Sequence, residues 1–117
     1  MSFQATAVGT DSGASATQSA ANTDTYIATA LNGHTDTDSL LTIESPAGTV
    51  LWESKIDISL EGTTFSFPNL QIRGAAGQAI VGKIASSTSD AQVNISGDRE
   101  HLTFARGEVA PGDRGAG

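Results

Sequence analysis

The sequence predicts an all-β chain: an antiparallel β-sandwich, jelly-roll-like, with extended N- and C-terminal arms. Three observations lead there. Short runs alternate apolar and polar residues with period two, the mark of a strand with one buried face. Turn residues separate these runs at about 8–12 residue spacing, as in sandwiches. No stretch carries apolar residues at helical period between a cap and a stop. At 117 residues the chain has the size of one domain. It divides into an N-terminal strand and polar extended arm over 1–24, a sandwich over 25–97 and a C-terminal arm over 98–117.

The elements follow in order. Phe3, Ala5 and Ala7 alternate with Gln4 and Thr6 as an edge strand or arm. The stretch 9–24, GTDSGASATQSAANTD, has too little apolar surface to fold alone and reads as an extended connector draped over a neighbour. TYIATALN (25–32) opens the strand-rich body, and Asn32-Gly33 signals a turn into the polar loop HTDTD (34–38). SLLTIES (39–45) and TVLWESK (49–55) flank Pro46-Ala47-Gly48, the clearest hairpin in the chain. Consecutive Val50, Leu51 and Trp52 predict a strand covered on both faces. Ile56, Ile58 and Leu60 alternate as a strand before Gly62, and Phe65 and Phe67 share a face before Pro68. Leu70 and Ile72 lead to the turn RGAAG (73–77), after which QAIVGKIAS (78–86) resumes with Gly82 as a bulge candidate. Ala91, Val93 and Ile95 make the last alternating strand. The tail after it is charged but carries Leu102, Phe104 and Val109, and residues 102–104 have the pattern of a strand that adds to a sheet edge.

Composition excludes several functions. Six Lys and Arg against thirteen Asp and Glu give a net charge of −7. Such a chain repels phosphate backbones and anionic lipid, and no window clusters three basic residues, so neither nucleic acid nor membrane is an expected partner. With no cysteine, disulfides, thiolate catalysis and zinc-thiolate sites are all absent. The N-terminal residues lack the basic and apolar regions of a secretion signal, and the expectation is a soluble chain. Only 5% of residues are aromatic, so Leu, Ile, Val and Ala must carry the packing. A homo-oligomeric interface would add to so thin a core.

Candidate chemistry is sparse. His34, Asp36 and Asp38 stand at i, i+2 and i+4, on one side of an extended segment, and the two carboxylates offer hard oxygen ligands to a calcium-like ion; the central Gly and terminal Glu of the strict calcium loop are missing, and a solvated turn is the simpler reading. His34 and His101 are the only histidines, and no G-x-S-x-G elbow accompanies them. Glu44 and Glu53 face each other across the hairpin as a glycosidase pair would, yet surface charges beside a turn explain them as well. Trp52 is either a sugar-stacking platform or a core residue, and its apolar neighbours favour the core. The glycine-rich pieces 74–77 and 112–117 lack the Lys and the helix of a phosphate loop. The expectation is a non-enzyme with no catalytic residue, cofactor or metal.

The runs DSLLTIESPAGTVLWE (38–53) and FPNLQIRGAAGQAIVGKIASSTSDAQVNISG (67–97) resemble a type of small β-rich structural protein encoded in tailed-bacteriophage genomes. In that type a hairpin of this pattern is followed by a Phe-Pro segment, a G-x-x-G-Q-A turn into a strand and a final V-x-I-x-G strand. The resemblance implies a capsid decoration, or cement, protein. Such a protein binds the outer surface of the head and bridges neighbouring major capsid protein subunits, as a dimer or trimer on the virion after assembly in the host cytoplasm. Segments 3–10 and 102–109 are then the clasps, with Phe3, Val8, Leu102, Phe104, Arg106 and Val109 the expected partner-binding residues. The alternative is a carbohydrate- or receptor-binding β-module of a phage tail or tail tip, with the HTDTD loop and Trp52 at its site.

Overall fold

The computed structural model describes residues 2–9 and 11–101, Glu61 by its backbone only. Alternation becomes strands: β1 Ser2–Gly9, β2 Ala14–Gln18, β3 Asp24–Thr35, β4 Ser39–Glu44, β5 Val50–Ile56, β6 Thr64–Phe67, β7 Ile72–Arg73, β8 Ile80–Ile84 and β9 Ala91–His101. One helical turn, α1 (Ile58–Glu61), interrupts them. Two antiparallel sheets pack face to face as a β-sandwich. One runs β1-β9-β3-β6 with β7 also on β3, and the other runs β2-β8-β4-β5. The pairing is nested about a single hairpin: β4 with β5, β3 with β6, β2 with β8, β1 with β9.

Register explains why the sheets fit. A core-facing column Ala5–Ile95–Leu31–Phe67 crosses the first sheet, and Ala16–Gly82–Ile43–Trp52 crosses the second, each buried at its centre. The columns oppose one another. A Cβ on Gly82 would lie 2.8 Å from Leu31 Cδ1 and 2.9 Å from Ile95 Cβ, while the Trp52 and Phe67 rings meet edge-on at 5.1 Å. On the other flank β1 and β2 contact each other, and Phe3 packs edge-on against Tyr26 at 5.2 Å. Leu31, Leu41, Ile43, Ile80, Ile84 and Ile95 are fully buried, each side chain contributing about 1.5–3 kcal/mol. Aliphatic packing therefore carries this core.

Several expectations are corrected. Asn32-Gly33 is no turn: β3 runs through it, because Gly33 at φ +153° pairs with both Val93 and Phe65 where a side chain would strike the Gln92 carbonyl. Within the polar connector, residues 14–18 form β2, whose Ala14 and Ala16 are buried against β8. Gly82 is a close approach between sheets rather than a bulge; register shifts occur between Ala28 and Ala30 and between Ile43 and Glu44. The strand expected at Ile56, Ile58 and Leu60 ends at Ile56, because the Asp57 side chain accepts from Ser59 N–H and starts a helical turn. β5 is an edge strand with Val50 and Leu51 exposed, so it is covered on one face only. Of the C-terminal arm, β9 includes residues up to His101, and the rest lies outside the described residues.

Candidate functional site

Four connections gather at the end of the sandwich where β9 begins: β1–β2, β3–β4, β5–β6 and β8–β9. Polar side chains lace them together. Asp36 is the main clamp. Its Oδ1 accepts from Thr88 N–H at 2.8 Å, and its Oδ2 accepts from the Thr88 hydroxyl, Ser89 N–H, the Ser89 hydroxyl and Asp90 N–H at 2.7–3.0 Å. The Thr88 backbone amide and hydroxyl, followed by Ser89, hold this carboxyl well below the usual carboxylate range. Gly13 N–H donates to Ser87 Oγ, Ser86 N–H to Ser39 Oγ, and Ile58 N–H to Asp38 Oδ1. His34 Nε2 stands 3.3 Å from Asp90.

The HTDTD segment expected as a loop is therefore the end of β3 at His34 and Thr35, followed by a short loop that Asp36 clamps. Among the described residues no three His, Asp or Glu groups converge on a metal position. The folded-state pKa of Asp36 lies below its unfolded value, so its contribution to stability is fully present above the unfolded value near 3.9 and is lost as pH falls through the lowered one. We expect Asp36→Asn to speed amide hydrogen exchange at Thr88, Ser89 and Asp90 at neutral pH. The stability gap between this variant and the parent should be widest above about pH 4 and shrink in more acid solution. A gap that stays constant from neutral pH into strong acid would show that the charge of Asp36 does not hold the loop.

Beside the clamp lies an open pocket of about 340 Å³ lined by Asp38, Ser39, Leu40, Lys55, Ile56 and Asp57. Its floor is apolar and its rim is charged. Asp57 also caps the turn that carries Leu60, accepting from both the amide and the hydroxyl of Ser59, and Gly62 N–H closes that turn onto Ile58 O at 3.0 Å. Leu60 is thereby held out at 82% exposure. The pocket and this exposed leucine escaped sequence reasoning. Ile56, Ile58 and Leu60 read as one alternating strand, and only the turn at Asp57 takes Leu60 out of it.

The other nominated residues are dispersed. Phe3 is buried in the core, at the opposite end of β1 from Val8, which is 69% exposed. Leu102, Phe104, Arg106 and Val109 lie outside the described residues. Glu44 does not face Glu53: Thr42 does, and Glu44 is buried, accepting from Thr42 Oγ1 at 3.0 Å and Gly48 N–H at 2.8 Å to fasten the hairpin turn. Trp52 is half-buried against Phe67 and the core. His101 meets the buried carboxylate of Asp24 at 3.1 Å, at the far end of β9. Across the outer face of the first sheet, Thr6, Asn94 and Asn32 stand in register and hydrogen-bond in series at 2.8 and 3.0 Å. This uncharged row knits β1, β9 and β3 together on the side away from the core.

No protein-family model matches this chain, and neither does any curated protein or solved structure.

Proposed function

We propose that this chain is a capsid decoration protein of a tailed bacteriophage. It binds the outer surface of the head, bridges neighbouring major capsid protein subunits and acts as a dimer or trimer. The observation that carries the reading is the strand order. With the two-residue β7 set aside, eight strands pair symmetrically about the β4–β5 hairpin and fold into two four-stranded sheets. That order fits a jelly roll, an architecture used repeatedly in viral capsid domains. The sequence resemblance in 38–53 and 67–97 points the same way. Two physical features suit the role. A loop end laced by Asp36 and Ser39 offers a preformed surface that loses little entropy on docking. The −7 charge favours a protein partner with basic patches.

Fold alone does not fix function, so the test addresses binding directly. Empty shells assembled from the major capsid protein encoded in the same genome, and lacking this chain, are mixed with the purified protein and sedimented. Saturable co-sedimentation, with shells that then resist heat better, is the expected result. Absence of binding at micromolar protein, or binding to tails in place of heads, would remove the decoration role.

A further inference from the structure

We infer that the pocket between β4 and β5 receives the segment 104–108 of a second copy of this chain. The pocket presents two carboxylates, Asp38 and Asp57, one ammonium, Lys55, and an apolar floor of Leu40 and Ile56. Among the described residues no carboxylate lies within ion-pairing distance of Lys55. The sequence Phe104-Ala105-Arg106-Gly107-Glu108 is its complement. Bound as an extended chain, Phe104, Arg106 and Glu108 project to one side, because side chains in a strand repeat every second residue. Arg106 then meets Asp38 and Asp57, Glu108 meets Lys55, and Phe104 covers apolar surface. The second arginine of the tail, Arg114, is preceded directly by Asp113. In an extended chain those two charges point to opposite sides, so that site fits the pocket less well.

Reach requires that the segment come from another molecule. β9 begins at the pocket end, where Ala91 pairs with Thr35, and finishes at His101 beside Asp24. Its eleven residues span about 34 Å at roughly 3.4 Å each. From His101 to Arg106 the chain covers at most about 18 Å. Arg106 therefore cannot return to the pocket of its own molecule, and the contact runs head to tail between copies. Such a heterologous contact generates a ring when its rotation closes. The inference concerns self-association and stands whether or not the partner of the assembly is a phage head.

The test uses the purified full-length chain. Its mass is followed by sedimentation across concentration, and amide shifts of Ser39, Leu40, Lys55 and Ile56 are followed by NMR in parallel. Self-association with concentration-dependent shifts at these residues is expected, weakened about tenfold by Arg106→Glu and by 0.5 M salt. Lys55→Glu should weaken association as well, and the double variant Lys55→Glu/Glu108→Lys should recover most of it. Lys55 is exposed on the edge strand β5, and a loss of fold would not be reversed by a second charge reversal. Three outcomes would overturn the inference. They are a chain that stays monomeric at millimolar concentration, association indifferent to Arg106→Glu, and pocket shifts independent of concentration that vanish with Arg114→Glu, which would place the molecule's own tail in the pocket.

Discussion

Replacing Gly33 with alanine is expected to destabilise the protein by at least about 3 kcal/mol, lowering its melting temperature by more than about 10 °C. Gly33 sits two residues from the C-terminal end of β3, paired on one side with β9 and on the other with β6. A methyl group there would stand 1.9 Å from the Gln92 carbonyl oxygen and 2.9 Å from its carbon, contacts that force the two central strands apart. The clash is with backbone, which has no rotamer to escape into. Gly48 provides the comparison. It also has a positive φ, +97°, but an added Cβ meets nothing within 4 Å, so Gly48→Ala should cost only the local strain of about 1–2 kcal/mol. Thermal and urea melts of the two variants side by side decide the matter. Equal losses would mean that β3 and β9 shift freely and that Gly33 is not required by close approach.

A second large effect concerns the facing columns of the core. Leu31→Ala removes a fully buried side chain and should cost about 2–5 kcal/mol, depending on how far the cavity collapses. Gly82→Ala should cost about 1–3 kcal/mol by overpacking, since its new carbon presses on Leu31 Cδ1 and Ile95 Cβ. Combined, the two substitutions should cost less than their sum. With Leu31 shortened, one of the two close contacts at Gly82 disappears and the added methyl occupies part of the vacated space. The contact with Ile95 remains, so compensation is partial. A double-mutant cycle in urea measures the coupling, and we expect about 1 kcal/mol in the favourable direction. Strict additivity would indicate that the sheets do not meet at these residues.

Which parts of this architecture are legible in the sequence follows from how many roles a residue type can play. β4 and β9 are legible because apolar Leu41, Ile43, Val93 and Ile95 alternate with polar residues, and β5 because the Pro-Ala-Gly turn marks where the hairpin returns. β2 is hidden because Ala14 and Ala16 fill narrow buried positions of a strand paired with β8, and alanine among serines looks the same in a strand and in a linker. Glycine misled twice. At Gly33 and Gly82 it marks close approach, of backbone in one case and of facing side chains in the other, while the sequence pattern offers only turn or bulge. The site was less legible than the fold. Asp36 reads as a turn residue or an ion ligand until its five donors from 88–90, more than fifty positions away, are in place. The pocket depends on one helical turn capped by Asp57, and a single cap residue inside an alternating pattern carries little signal.

The nested pairing has a kinetic consequence. Ala7 pairs with Val93, 86 positions away, whereas Ile43 pairs with Trp52, 9 positions away. Closing the longer loop from a random coil costs about 2 kcal/mol more than closing the shorter one, at about 0.6 kcal/mol for each doubling of length. By average contact separation this chain belongs among slow folders. The nesting alters the route available to it. Once β4 and β5 have joined, β3 and β6 are brought near one another, then β2 and β8, then β1 and β9, so each closure spans only the segments added since the last. The pairing thus provides a route of short searches to a topology of distant partners, from the β4–β5 hairpin outward to β1 and β9.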